Sequence, residues 1–377
     1  MVRFPLIAMF CLLCLGISSG FSQLTFHAIS DSAISDAGTK AARPDTVLLG
    51  DKFYVAYLQV LPIRTFRLLV LNKDLMVLGT TNLFSGKNEP TDIRVAAGPG
   101  DFFSYAFETT RFQKGIPNHL NIAQYKRTDS LPTLVTSKTE VAAALPVVPP
   151  DNLPRQGDDL VDDPTPFVYG GRFYVITRKW ESANLTIHEC SADLGRMETH
   201  TLDLSAAFPG LFLAVNSFVD IEGRPHLISG VNNGPPIDRR FFSYIAAIGL
   251  DEAMMKNDNP IVLSRTPRYE DYVACARYSG GILFVGCDGR EYDTPRPGPS
   301  DHRGMIKAFD PKKGFKEIGS IQINSGRMID NHFTFEVLNR KLYVFYQAPD
   351  EGLRSKVIVL KDGEPNQSLK ATGDAAP

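Results

Sequence analysis

One hairpin-shaped pattern returns six times along this chain, and it limits the fold more than any other feature. "VLLGDKFYVAY" surrounds Tyr54 and "VAAGPGDFFSYAF" surrounds Phe103. The pattern recurs as "FVYGGRFYVIT" around Tyr174, "VDIEGRPHLIS" around His226, "RYSGGILFVG" around Phe284 and "EVLNRKLYVFY" around Tyr343. Each copy is a β-rich run, a tight turn of Gly, Asp, Pro, Asn or Arg, and a second β-rich run, the signature of a hairpin. The anchors stand 49, 71, 52, 58 and 59 residues apart.

A second strand–turn–strand unit follows every anchor, from "FRLLVLNKDLMVLG" after the first to "SKVIVLKDGEPNQSL" after the last. Four strands per repeat, at roughly 59 residues each, are expected of propeller blades rather than of a short-repeat solenoid. Strands apolar on both faces fit, because a blade is covered by a neighbour on each side. The expected fold is therefore all-β, a β-propeller of six four-stranded blades, with five or seven if one repeat is misread. Little chain remains after the last repeat to supply an outer strand. "LTFHAIS", residues 24 to 30, is expected to supply it from the N-terminus and close the ring. The 71-residue step holds the Pro-rich "LPVVPPDNLPRQGDDLV", read as an excursion or, alternatively, a linker.

The first residues, "MVRFPLIAMFCLLCLGISSGFSQ", carry one Arg, a short apolar run and then small residues, as a secretory signal peptide does. The run is too short to span a bilayer. The expected organisation is a leader over 1–22, one propeller domain over 23–365 and a polar tail over 366–377. A secreted, periplasmic or otherwise extracellular monomer follows. Removal of the leader leaves Cys190, Cys275 and Cys287, an odd number without CxxC spacing, so neither a disulfide framework nor a zinc site is expected. In the Cys275–Cys287 hairpin a turn at Gly280-Gly281 sets Cys275 opposite Gly286, which puts Cys287 on the other face. With 40 basic and 42 acidic residues mixed along the chain, no basic field exists to hold nucleic acid.

In a propeller the innermost strand starts on the face that carries the loop between strands two and three. Those loops are long and polar here, "ETTRFQKGIPNH", "GVNNGPPIDRR" and "DGREYDTPRPGPSDHR", and long loops on one rim are where binding concentrates. Eleven residues before the anchors stand Arg43, Asp92, Asp163, Val215, Val273 and His332; nine before stand Asp45, Arg94, Thr165, Ser217, Cys275 and Thr334. Positions two apart share a strand face, so both rows are expected on one rim. Asp45, Asp92 and Asp163 are the candidate catalytic carboxylates. Arg43, Glu89, Arg94, Asp162, Trp180, Asp330 and His332 are the candidate ligand contacts. Alternatively, the complementary charges form a structural ring of ion pairs. No cofactor is called for, although the three aspartates are the type that would hold an axial Ca2+.

"DDPTPFVYGGRFYVITRKW…LTIHECSADL" resembles a blade of the propeller glycosidases, the arabinanase, xylosidase and invertase group. What the resemblance implies is an inner-strand carboxylate acting as base, nucleophile or orienting group, a role that falls on Asp163 with Asp162 beside it. The Ser-x-Asp-x-Gly-x-x-Trp box of the six-bladed sialidases does not occur. A Gly-x-Ser-x-Gly elbow, a His-Glu-x-x-His helix and a phosphate-binding Gly loop are also missing.

Three functions remain open from the sequence. The first is a secreted propeller binding a polar ligand, an extracellular glycan or protein, at the long-loop face. The second is a glycoside hydrolase using inner-rim carboxylates. The third is a structural or cell-surface interaction module.

Overall fold

The computed structural model describes residues 23–35, 41–60, 64–84, 90–98, 102–109, 119–126, 131–141, 162–178, 182–232, 243–255, 258–264, 268–269, 273–291, 303–323, 333–348 and 352–362. The expected leader and polar tail lie outside them, as do the Pro-rich stretch and most of each long loop. β1 (Leu24–Ala33) stands first. The next four strands, β2 (Ala41–Leu49), β3 (Lys52–Gln59), β4 (Thr65–Asn72) and β5 (Val77–Phe84), form one sheet in sequence order. A second sheet holds β6 (Pro90–Ala97), β7 (Phe102–Thr109), β8 (His119–Lys126) and β9 (Thr133–Val141). The third holds β10 (Asp162–Tyr169), β11 (Arg172–Arg178), β12 (Asn184–Cys190) and β13 (Met197–Asp203).

The fourth sheet contains β14 (Phe212–Ile221), β15 (Arg224–Asn232), β16 (Ser243–Gly249) and β17 (Ile261–Ser264). β18 (Arg268–Tyr269) pairs with the far end of β20 in the fifth sheet, otherwise β19 (Val273–Ser279), β20 (Ile282–Glu291), β21 (Arg303–Asp310) and β22 (Lys316–Gln322). The sixth has β23 (Phe333–Leu338), β24 (Lys341–Ala348) and β25 (Gly352–Asp362), and its fourth strand is β1, antiparallel to β25.

All the ladders are antiparallel, and tight first turns set their register. Gly170-Gly171 and Gly280-Gly281 both have positive φ at each residue, the left-handed pair that a two-residue hairpin with right-handed strand twist requires. Glu222 and Asn339-Arg340 adopt the same region without glycine's freedom (φ 52°, 50° and 57°). Glu222 is secured there by Tyr278, whose hydroxyl donates to it at 3.1 Å, and by Lys312 at 3.1 Å.

Side chains alternate between the two faces of a strand, and here both faces are buried. Tyr54, Ala56 and Leu58 pack toward the second sheet, while Phe53, Val55 and Tyr57 pack toward the sixth. The same division fills the gaps from second to third, third to fourth, fourth to fifth and fifth to sixth sheets. First strands touch in succession, β2 on β6, β6 on β10, β10 on β14, β14 on β19, β19 on β23 and β23 back on β2. This circuit explains the long apolar runs of the inner strands, which are covered on both sides, while the outer strands β1, β13 and β22 keep many exposed positions.

Cys275 lies opposite Gly286 in the β19–β20 ladder, as the turn requires. It packs toward the sixth sheet and Cys287 toward the fourth. Cys190, Cys275 and Cys287 are all buried free thiols, and burial pushes Cys275 up to about 11. Protein lacking residues 1–22 should therefore resist alkylation at Cys275 while folded. After denaturation without reductant, intact-mass measurement should find three modified cysteines. A species carrying an internal disulfide would contradict this packing.

Candidate functional site

The ladders slip where the first strands begin. Register shifts fall between Ala42 and Asp45, Pro90 and Ile93, Asp162 and Thr165, Leu213 and Asn216, and Val273 and Cys275. Arg43, Asp92 and Asp163 all sit inside such a slip, and Arg43 has φ 51°. A bulge inserts an unpaired residue and bends the strand. Simple alternation from eleven to nine residues before the anchor therefore does not hold in the fifth sheet, where Val273 packs toward the fourth sheet and Cys275 toward the sixth. This corrects the expected shared face of the two rows there.

The row nine before the anchor has a common use. Asp45, 5% exposed, accepts the backbone N–H of Val95 at 2.8 Å through Oδ2. Ser217 accepts the N–H of Ala276 at 3.0 Å, and Cys275 takes that of Phe335. Val95, Ala276 and Phe335 are equivalent positions on the next first strand. In the sixth sheet Thr334 instead donates its hydroxyl to Asp45 Oδ1 at 3.2 Å. One side chain thus ties each of these sheets to its neighbour, which is why the sequence keeps that row polar.

Two residues further along, four repeats carry Val47, Ala96, Phe167 and Val219, whereas the last two carry Arg277 and Glu336. Arg277 Nε donates to Glu336 Oε1 at 2.8 Å, one terminal nitrogen donates to Ala276 O at 2.9 Å, and the other reaches Thr46 O on β2 at 2.7 Å. Glu336 also accepts the N–H of Leu48. A single guanidinium therefore joins the fifth, sixth and first sheets. Burial pushes Glu336 up to about 7, with Arg277 opposing and Asp45 adding to the rise. The sequence reading missed this pair. Its available signal was two opposite charges interrupting an apolar row in consecutive repeats.

The first strands β2, β6 and β10 lie side by side. They bring Arg43, Asp45, Asp92, Arg94, Asp162 and Asp163 onto adjacent strands. Asp162 is the ladder partner of Arg178. The side chains of Asp92, Asp162 and Asp163 lie outside the described residues, as do Glu89, Trp180, Asp330 and His332 entirely. No set of three or more His, Cys, Asp or Glu side chains converges among the described residues as metal ligands would. His226 packs beside Phe315, ring centroids 6.0 Å apart, and burial holds its pKa below the usual imidazole value.

No family model and no curated protein matches the sequence. Solved structures do match. The Hadza microbial sialidase Hz136 superposes with a TM-score of 0.58 at 11% identity, over 87% of this chain and 68% of that one. A Dyadobacter fermentans protein of unknown function gives 0.56 at 12% identity, over 89% and 99%. The fold is a β-propeller. A mutant Trypanosoma rangeli sialidase displaying trans-sialidase activity gives 0.54 at 9% identity, over 90% of this propeller and 59% of that chain. Arabinanases align at TM-scores of 0.39 to 0.44.

One turn of the propeller is notable beside the sialidases. Ser191-x-Asp193-x-Gly195 has the first three fixed residues of the Ser-x-Asp-x-Gly-x-x-Trp box, with Glu198 where that pattern ends in Trp. Ser191 donates to Asp193 Oδ1 at 2.6 Å, which also accepts the Gly195 N–H at 3.0 Å. These bonds hold Asp193 below the usual carboxylate range. The residues close a β12–β13 turn, so their role here is local.

Proposed function

We propose that this protein is a secreted six-bladed propeller, closed by β1, that binds a polar extracellular glycan or protein at the long-loop face of its axial funnel without chemistry. The observation that carries the reading is the state of Asp45. Both its oxygens are engaged by neighbouring strands, and it is 5% exposed. A general acid, base or nucleophile has to reach a substrate atom within hydrogen-bonding distance. Asp45 is committed to the scaffold instead. Glu336, the other described carboxylate at this level, is paired with Arg277.

In this reading residues 1–22 are a leader, 23–365 one domain and 366–377 a tail, and the protein is a monomer. Ligand contacts come from Arg43, Arg94, Asp92, Asp162 and Asp163 at the strand starts. Glu89, Trp180, Asp330 and His332 complete them from the rim. The test is a glycan array together with a panel of chromogenic glycosides, applied to protein lacking residues 1–22. Binding without turnover is expected, and Arg94→Ala should weaken it by roughly ten-fold, the loss of one charge-assisted hydrogen bond. Glycoside turnover that Asp163→Asn abolishes would replace this reading with the hydrolase.

A further inference from the structure

The described residues carry eight exposed large apolar side chains, and seven of them gather at one end of the propeller. The first sheet contributes Met76, Val77 and Leu78, and the second Leu134. The fourth contributes Met255, Ile261 and Val262. Each lies in the turn between strands three and four or in the first two residues of strand four. That turn stands on the face opposite the long loops, so all seven share one rim, where they are between 39% and 59% exposed. Their spacing limits what covers them. The first and fourth sheets are three steps apart whichever way the circuit of first strands is followed, so they stand across the ring from each other. A peptide lying in one groove cannot touch both, whereas a flat surface as wide as the propeller can. The chain also joins the propeller at this end. Leu24, the first residue of β1, is the ladder partner of Asp362, so the apolar run over residues 4–17 leads into this same face.

We propose that this rim rests on a zwitterionic lipid surface. The apolar side chains of the first, second and fourth sheets dip into the headgroup boundary, and the long-loop face is turned away from the bilayer. Removal of exposed apolar surface from water drives the contact. The exposed charges beside the patches, Lys73 and Asp74 next to Met76 and Asp251 and Glu252 ahead of Met255, do not favour anionic headgroups. The proposal stands apart from whatever the long-loop face binds.

Phosphatidylcholine vesicles test it, with protein lacking residues 1–22 so that the leader takes no part. The protein is expected to sediment with the vesicles and to stay in solution without them. Leu78→Ser and Val262→Ser, on opposite sides of the ring, should each lower the partition coefficient about ten-fold, the loss of one partly inserted aliphatic side chain. Both side chains are exposed in the fold, so both variants should melt at the temperature of the parent. If either does not fold, hydrogen exchange on the unmodified protein decides: vesicles should slow the amides of Met76, Val77 and Ile261 and leave those of Ala41 and Leu213, at the opposite end, unchanged. Protein that stays in solution with the vesicles overturns the proposal, and so do folded variants that bind as the parent does. Sedimentation without vesicles would mean that copies of the chain cover the rim instead. Binding only when phosphatidylglycerol is mixed in would mean that charge, not apolar contact, holds the protein, and would equally overturn it.

Discussion

Replacing Arg277 with methionine is expected to lower the unfolding free energy by about 3–5 kcal/mol, the usual cost of removing one partner from a buried ion pair. Its side chain is 24% exposed and that of Glu336 9%, so water replaces the lost charge only in part. Three consequences add. Glu336 loses the guanidinium it is paired with, and the carbonyls of Ala276 and Thr46 each lose a donor. Methionine approximates the volume of the Arg stem, so a packing defect contributes little. Chemical denaturation monitored by circular dichroism measures the loss. The double variant Arg277→Met, Glu336→Leu removes both charges and should recover most of it. A single variant within about 1 kcal/mol of the parent would mean that the guanidinium does not hold the junction.

The architecture was legible because each repeat carries its own turn. Gly170-Gly171 and Gly280-Gly281 announce left-handed turn positions, and the anchors then fix which strand residues face each other. Cys275 opposite Gly286 follows by counting alone. Counting failed at the strand starts, where the ladders slip beside Arg43, Asp92 and Asp163. Pro44 and Pro164 lie inside two of those slips and Pro90 opens the third, and proline, which cannot donate to a ladder, was the available signal of a bulge there. The polar row at Asp45, Ser217 and Thr334 was visible, but its purpose was not. A side chain that bonds a ligand and one that bonds the next strand's N–H have the same polarity. Arg277 and Glu336 stayed hidden for a different reason: each looks like an isolated charge until the fifth and sixth sheets are placed side by side.

Protein that begins at residue 36 and lacks β1 is expected to lose cooperative folding. β1 is the outer strand of the sixth sheet, and without it the whole length of β25 becomes an open edge ready to pair with another chain. Leu24, 4% exposed, and Phe26 also leave the apolar filling between the fifth and sixth sheets. The fit there is close, since a Cβ placed on Gly319 of β22 would lie 2.5 Å from the Leu24 carbonyl oxygen. At the other end of β1, Asp31 takes the Tyr346 hydroxyl on both oxygens at 2.7 and 2.8 Å. It also pairs with Arg354 Nε at 2.9 Å and Lys356 Nζ at 3.2 Å. Burial alone would raise the Asp31 pKa, but the bonds from Tyr346, Arg354 and Lys356 outweigh it and hold the carboxyl below its usual value. Its contribution is present above the unfolded value of about 3.9 and is lost as the pH falls through the folded one. Size-exclusion chromatography of the truncated protein should show aggregates, and its thermal transition should be broad or missing. A synthetic peptide spanning residues 23–35, supplied during refolding, should restore a monomer by adding the missing strand. A truncated monomer that melts cooperatively at the temperature of the full propeller would show that the ring closes without β1.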